Sequence, residues 1–288
     1  MKYLILVLLL TLAKESSAQV SKNRISILIR LEKIMPLDGD FVRSEIAYCT
    51  GFFGILRGET RLRFASHCIP NLAENDSLEI FGITGLTGFR ENMIEVKRDG
   101  NTYNEFEMEL RGVKSYFRIP LDKLEFDGVM DHVSIRVGNK KLLRQSQVLR
   151  ISTKLPKAGD VFTTIGFGHE FSSKHIEAPK HKACKMLGYT ILSLKSQPSD
   201  SIFYVCEGRF REGDSGSPMM DKRARVIGIA SAILKGAKRS YLLISPFRDH
   251  SIDELSNLSF LDTNKKESLE NASLELVSQK LEGRSLLQ

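Results

Sequence analysis

The serine best suited to nucleophilic chemistry lies within residues 213–218, which read Gly-Asp-Ser-Gly-Ser-Pro. A serine hydroxyl is a poor nucleophile unless a neighbouring base takes its proton and the resulting oxyanion is stabilised. Glycines on either side of Ser215 permit backbone dihedrals at which N–H groups converge on one point. We therefore expect Ser215 to be a nucleophile, with the N–H groups of Gly213 and Ser215 as its oxyanion hole.

Residues 65–68, which read Ala-Ser-His-Cys, offer a base for this serine. His67 follows a predicted strand and stands beside a cysteine. Cys49 lies on the preceding predicted strand, so a bridge between Cys49 and Cys68 would fix the loop that bears His67. This arrangement predicts His67 as the general base.

A carboxylate is then needed to orient the imidazole and stabilise its protonated form. Asp131 shares the strand parity of the apolar positions 133, 135 and 137, so its side chain is predicted to point toward the core. Asp127 is better explained by a tight turn with the following glycine, and Asp122 lies farther from the strand. Asp131 is therefore the predicted orienting carboxylate.

The elements that must position these residues are mostly strands. Short apolar or alternating runs are separated by Gly- and Asn-containing turns, with no repeating strand–helix unit, which favours an all-β sandwich or barrel. The predicted strands are Ser26–Leu31, Ile46–Ile55, Arg61–Ala65, Leu78–Ile80, Met93–Val96, Phe106–Leu110, Tyr116–Ile119, Val133–Val137, Val148–Ile151, Val161–Ile165, Thr190–Leu194, Ile202–Cys206, Arg225–Ala232 and Tyr241–Ile244. A weakly amphipathic helix or frayed tail is predicted at the C-terminus, over residues 261–288.

The N-terminus has the pattern of an export signal. Lys2 precedes the apolar run Tyr3–Ala13, and the small residues 16–18 place a cleavage site before Gln19. The run is about half of the roughly 20 residues that span a bilayer, so we expect no membrane anchor after signal removal. Residues 1–18 thus predict a secreted or periplasmic protein with paired cysteines.

Composition sets wider limits. The chain of 288 residues is 42% hydrophobic and 27% charged, which excludes a disordered chain, a collagen-like repeat and a multi-span membrane protein. Its formal charge of +7 indicates acidic partners but says little about fold.

In order and local sequence, His67, Asp131 and Ser215 resemble the catalytic triad of the chymotrypsin-like (trypsin-fold) serine endopeptidases. The resemblance spans roughly residues 25–255, and the Gly-Asp-Ser-Gly-Ser-Pro variant is closer to bacterial-type members. It implies two six-stranded antiparallel β-barrels with the triad between them. The expected divisions are a signal at 1–18, an N-terminal barrel at 19–145, a C-terminal barrel at 146–260 and the tail.

The chain departs from the family in its activation sequence. No Ile-Val-Gly-Gly follows a basic residue, and the nearest match, at Arg24, runs directly into the first strand. In the digestive members a freed N-terminus pairs with the aspartate that corresponds to Asp214. That pairing is not expected here, and constitutive activity after signal removal is the preferred alternative.

The specificity pocket also departs from that of trypsin. Arg209 stands where trypsin-like enzymes carry an acidic residue, and Ile233 stands two positions after Ser231, where an open pocket has glycine. These residues argue against cleavage after Lys or Arg and leave an acidic or small-residue preference open. Cys184 and Cys206 are interpreted as a second bridge within the C-terminal barrel, since no cysteine adjoins Ser215.

The remaining features carry less information. The other five histidines have no metal-ligand spacing, so neither a metal nor another cofactor is predicted; they are His132, His169, His175, His181 and His250. The basic run Lys174–Lys185 is interpreted as a solvated loop, with polyanion binding as its alternative.

The sequence therefore predicts a secreted serine endopeptidase acting on protein or peptide substrates, open to proteinaceous inhibitors, with no nucleic acid partner. The first rival is a catalytically inert homologue that serves binding or regulation, against which the complete triad argues. A second rival, a cationic polyanion-binding protein, rests on charge alone.

Overall fold

The computed structural model describes residues 24–36, 42–98, 101–127, 129–168, 175–177, 179–192, 200–211, 213–235 and 240–262. The predicted export signal and nearly all of the predicted tail lie outside these ranges. Within them, no helix has the length and apolar character needed to cross a membrane.

Strands dominate the described residues and are interrupted there by three short 3₁₀ turns and the helix α1 (Lys140–Gln145). The strands before α1 are β1 (Ser26–Pro36), β2 (Val42–Leu56), β3 (Glu59–Phe64), β4 (Ser77–Thr84), β5 (Gly88–Arg98), β6 (Asn101–Arg111), β7 (Ser115–Ile119), β8 (Glu125–Phe126) and β9 (Val133–Arg136). Those after α1 are β10 (Val148–Ile151), β11 (Val161–Gly166), β12 (His175–Glu177), β13 (Lys180–Leu192), β14 (Ser201–Gly208), β15 (Pro218–Met220), β16 (Arg225–Lys235), β17 (Ser240–Pro246) and β18 (Ser259–Phe260).

The N-terminal half forms a six-stranded antiparallel arrangement in the order β9-β3-β2-β1-β4-β7. Alternate residues of these strands point inward and form one apolar core that includes Phe52, Leu62, Phe64 and Val133. The predicted strands Ile46–Ile55 and Arg61–Ala65 correspond to β2 and β3, which form an antiparallel hairpin. Both turn residues have positive φ, 51° at Arg57 and 82° at Gly58, as a two-residue hairpin turn requires.

The C-terminal half closes on itself. Its six strands follow the order β15-β11-β13-β14-β17-β16, and β16 pairs back onto β15. The interior is filled by a second apolar cluster that includes Phe162, Met186, Tyr204 and Ile244. Because closure removes free strand edges, this half is a barrel in the strict sense.

The two halves are joined through β10, which pairs in parallel with β2 on one side and with β16 on the other. The helix α1 precedes this strand, and the side chain of Asn139 caps it by accepting bonds from the N–H groups of Lys141 and Leu142. The all-β fold class predicted from the sequence, with two barrels of the chymotrypsin type, is confirmed by this architecture.

One sequence interpretation is wrong at this level. The basic run Lys174–Lys185 was expected to be a solvated loop, but β13 begins at Lys180 and pairs with β11 over six residues. Polar residues occupy both faces at this end of β13, so no apolar alternation marked the strand. Lys182 is only 13% exposed, which its charge did not suggest.

Each disulfide in the structure joins two neighbouring segments of one barrel. Cys49 of β2 is bonded to Cys68, 19 residues away, and Cys184 of β13 is bonded to Cys206 of β14, 22 residues away. Loops of this length restrict the unfolded chain by about 3 kcal/mol each in the chain-entropy account.

We therefore expect the double variant Cys49→Ala, Cys68→Ala to unfold with a free energy about 3 kcal/mol below that of the wild type. Urea unfolding followed by circular dichroism measures the difference. The variant Cys184→Ala, Cys206→Ala, which opens a loop of similar length, is the matched control and should lose a similar amount. A loss below about 1 kcal/mol in either variant would contradict this account.

Candidate active site

A short 3₁₀ turn places His67. Strand β3 ends at Phe64, and the turn Ser66–Cys68 follows with Ser66 and Cys68 buried. The disulfide from Cys49 ties the end of this turn to β2. The two buried neighbours hold His67 in place. Its imidazole is 31% exposed, so a substrate can reach it.

The Asp131 carboxylate lies directly behind His67 and is fully buried. Its Oδ2 atom is 2.6 Å from Nδ1 of His67, and its Oδ1 atom accepts hydrogen bonds from the Ser66 hydroxyl at 2.7 Å and from the His67 N–H at 3.0 Å. The Ser231 hydroxyl also donates to Oδ2. Together these donors fix the carboxylate and, through it, the orientation of the imidazole.

These contacts decide the charge of Asp131. Burial alone raises the pKa of a carboxyl group. Hydrogen bonds and charge from His67, followed by the hydroxyls of Ser231 and Ser66, outweigh burial and hold the pKa of Asp131 below its ordinary value. The carboxylate is therefore ionised at neutral pH, as is needed to stabilise an imidazolium at its side.

Ser215 lies on the other side of the imidazole. The distance from its Oγ atom to Nε2 of His67 is 2.9 Å, a hydrogen-bond distance. The three side chains predicted from separate parts of the sequence thus form one continuous chain of contacts, from Asp131 through His67 to Ser215. This arrangement can transfer the hydroxyl proton to the imidazole.

The loop around Ser215 is shaped by two glycines with positive φ, 85° at Gly213 and 82° at Gly216. A Cβ atom on Gly216 would lie 2.1 Å from the carbonyl oxygen of Thr50, so only glycine fits there. Thr50 itself binds the loop twice: its N–H donates to the Ser215 carbonyl at 2.8 Å and its hydroxyl donates to the Gly213 carbonyl at 2.7 Å. The N-terminal barrel therefore holds the loop that carries Ser215.

The backbone N–H groups of Gly213 and Ser215 flank Asp214 in this loop. Within the described residues, neither of these two groups donates to a backbone carbonyl. Converging N–H groups beside a nucleophile can stabilise the negative oxygen that forms when the nucleophile attacks a carbonyl.

The predicted pocket residues have different surroundings. Arg209 is exposed, whereas Ile233 is partly buried and packs against the core of the C-terminal barrel. Ser231 is buried, and its hydroxyl contacts Asp131.

Several residues of the site had no sequence signal. The hydroxyl of Thr50 braces the Ser215 loop, that of Ser66 binds the Asp131 carboxylate, and that of Ser245 accepts a hydrogen bond from the Asp131 N–H at 3.1 Å. Serine and threonine are common residues, and only tertiary contacts distinguish these three. No group of three or more His, Cys, Asp or Glu side chains in the described ranges is placed to hold a metal ion.

His132 is buried beside the site. Its Nε2 atom is 3.4 Å from the Ser245 carbonyl oxygen, and its ring centroid lies 4.6 Å from that of Phe247. Burial lowers the pKa of His132 to about 4, with a smaller contribution from Arg63, against the opposing influence of Asp127, the Ser245 carbonyl and Asp131. The imidazole is therefore neutral in the folded protein near neutral pH.

This shift predicts a pH dependence of stability. An unfolded histidine has a pKa of about 6.5, so between about pH 6.5 and the folded value of about 4 the unfolded chain binds a proton that the folded chain does not. The contribution of His132 to the free energy of unfolding is complete above that range. It decreases as the pH is lowered, by at most about 1.4 kcal/mol per pH unit.

Replacing His132 by Phe should remove this part of the slope in urea unfolding between pH 6.5 and pH 4. The variant Leu72→Ala, at an exposed position that does not titrate, should keep the wild-type slope. Equal slopes in the wild type and the His132→Phe variant would show that His132 does not titrate as described.

The family model described as Trypsin matches residues 65–248. Comparison with curated protein sequences found no significant match.

Among solved structures, the active form of the Rv3671c protease from M. tuberculosis is 13% identical with a TM-score of 0.46, over 85% of this chain and 87% of that chain. The HtrA-type protease AlgW with decapeptide is 14% identical with a TM-score of 0.46, over 80% of this chain and 63% of that chain. The family match covers more than half of the chain and includes the segments that carry His67, Asp131 and Ser215. The chain belongs to the trypsin family of serine peptidases.

Proposed function

We propose that the protein is a secreted or periplasmic serine endopeptidase that hydrolyses peptide bonds through an acyl-enzyme. The observation that carries the proposal is the continuous contact of Asp131, His67 and Ser215, with distances of 2.6 Å and 2.9 Å on the two sides of the imidazole. A base within hydrogen-bond distance of a serine, itself oriented by a carboxylate, is the arrangement that activates a hydroxyl nucleophile.

The first half of the reaction forms the acyl-enzyme. As Oγ of Ser215 attacks the scissile carbonyl carbon, Nε2 of His67 takes the hydroxyl proton. The carbonyl oxygen becomes an oxyanion, which the N–H groups of Gly213 and Ser215 stabilise. The tetrahedral intermediate then collapses: the C–N bond breaks, and His67 gives its proton to the leaving amine.

The second half releases the acyl group. Water takes the place of the amine, and His67 removes one of its protons as the oxygen attacks the ester carbon. Collapse of the second intermediate returns the proton to Oγ of Ser215. Asp131 remains ionised throughout and stabilises the imidazolium in both halves, consistent with the lowered pKa of its carboxyl group.

The proposal extends to processing and location. Cleavage before Gln19 would leave an N-terminal barrel over 19–145 and a C-terminal barrel over 146–260. The two disulfides support an oxidising compartment, where such bonds persist.

Labelling with a fluorophosphonate tests the activity. This reagent phosphonylates an activated serine, so the wild type should be labelled and the Ser215→Ala variant should not. Thr50→Ser, which keeps the hydroxyl that braces the loop, is the matched control and should remain labelled. A well-folded wild type that is not labelled would contradict the proposed activity and favour an inert homologue used for binding.

We further propose that the enzyme prefers small or acidic residues before the scissile bond and disfavours Lys and Arg. The partly buried Ile233 stands at a position that an open pocket leaves to glycine, and the pocket candidate Arg209 is cationic. A bulky Ile233 in the pocket would exclude long substrate side chains, and the charge of Arg209 would repel basic ones.

A proteome-derived peptide library, digested by the wild type with the Ser215→Ala variant as blank, should show cleavage enriched after small or acidic residues. Enrichment after Arg or Lys would refute this preference without affecting the assignment of Ser215.

A further inference from the structure

Asp214, the residue between the two proposed oxyanion donors in the chain, has a buried carboxylate. Asp214 is 1% exposed, and its neighbours in the chain are Gly213 and Ser215. Its Oδ1 atom accepts a hydrogen bond from the Gly168 N–H at 3.0 Å, and its Oδ2 atom accepts one from the Arg211 N–H at 2.9 Å. These two donors carry no net charge, so a buried carboxylate in this place still needs a cation.

Lys182 supplies that cation. Its ammonium group donates to Oδ2 of Asp214, and the two side chains are 13% and 2% exposed. Strand pairing places it there: Lys182 of β13 lies opposite Thr164 of β11, two residues before the end of that strand. The lysine that the sequence assigned to a solvated loop is thus largely shielded from solvent and bonded to the residue that precedes Ser215.

Two glycines make room for this ion pair. A Cβ atom on Gly168 would lie 2.4 Å from Oδ2 of Asp214, and one on Gly166 would lie 2.5 Å from Oδ1. The carboxylate therefore rests directly against the backbone of residues 166–168. It joins three segments: the Ser215 loop, the end of β11 and the start of β13.

We propose that Lys182 is a positioning residue for the oxyanion hole, which it holds in its competent form by neutralising Asp214. This inference rests on the proposed role of Ser215. A desolvated carboxylate that loses the cation bonded to it either draws in water or moves toward a new partner. Because Asp214 lies between Gly213 and Ser215, either response displaces the N–H groups that are to bind the oxyanion.

A consequence concerns activation. The ammonium that neutralises Asp214 is a side chain of β13, so it is present in the uncleaved chain and no free α-amino group is required. The segment at Arg24 is engaged elsewhere: its carbonyl accepts a hydrogen bond from the Gln147 N–H at 2.7 Å, and Ile25 is buried in the N-terminal core. Competence of the oxyanion hole therefore does not depend on cleavage after Arg24.

The central test compares three full-length variants by kcat and KM on a cleaved peptide. Lys182→Met should lower kcat by about 100-fold or more, the scale of losing one oxyanion donor, with KM changed only a few-fold. Lys182→Arg keeps the charge and should retain at least about a tenth of the wild-type kcat. Lys180→Met, an exposed position on the same face of β13, should match the wild type.

A second substitution separates positioning from a general structural role. The double variant Lys182→Met, Asp214→Asn has no uncompensated carboxylate, so its kcat should exceed that of Lys182→Met alone.

If Lys182→Met does not fold, Lys182→Gln, which is uncharged but polar, replaces it in the same comparison of kcat and KM. A folded uncharged variant with wild-type kcat, or no gain in kcat when Asp214→Asn is added to it, would overturn the inference. Fluorophosphonate labelling keeps the two proposals apart: an unlabelled wild type overturns the proposed function, whereas a labelled wild type with an undiminished Lys182→Met variant overturns only the role of Lys182.

A chain that keeps additional residues before Gln19 tests the independence from cleavage. Its kcat should equal that of the chain beginning at Gln19. Activity that appears only after the additional residues are removed would show that a free N-terminus is needed and that Lys182 does not suffice.

Discussion

The buried carboxylate of Asp131 requires donors from both barrels, and the geometry of the site depends on that requirement. Ser66 and His67 reach it from the N-terminal barrel, and Ser231 reaches it from the C-terminal barrel. An ionised group without solvent is stable only when such partners converge on it. The hydrogen bonds to the Asp131 carboxylate therefore both hold the two barrels together and orient the imidazole.

The second buried carboxylate, at Asp214, plays the corresponding part for the Ser215 loop. Thr50 of β2 holds the loop from one barrel, while Lys182 and the Gly168 N–H hold it from the other. Neither carboxylate is expected to react. Both are desolvated charges whose partners are drawn from distant parts of the chain, and those partners fix the imidazole and the backbone donors within a site that remains accessible at His67.

Much of the strand arrangement and the three residues of the triad could be predicted from the sequence, because local sequence patterns indicate them. Strand parity predicted Asp131 on the buried face, and the glycines of residues 213–218 indicated the unusual backbone around Ser215. The partners of the carboxylates could not be predicted in the same way. Thr50, Ser66 and Ser245 are common residues whose roles arise only from tertiary contact, and Lys182 lay in a basic run with no apolar alternation to mark a strand. The alternation of apolar residues along a strand indicates which apolar side chains are buried. It does not indicate which buried charges pair with each other.

Ser215, His67 and the N–H groups of Gly213 and Ser215 are proposed to act together on one scissile carbonyl group. The crystal structure of the wild-type protein after reaction with a fluorophosphonate would show whether they do. We expect a single adduct on Oγ of Ser215, with the phosphonyl oxygen about 2.7–3.1 Å from both backbone nitrogens. An adduct on another serine, or a phosphonyl oxygen on Ser215 that points away from the Gly213 and Ser215 nitrogens, would contradict it.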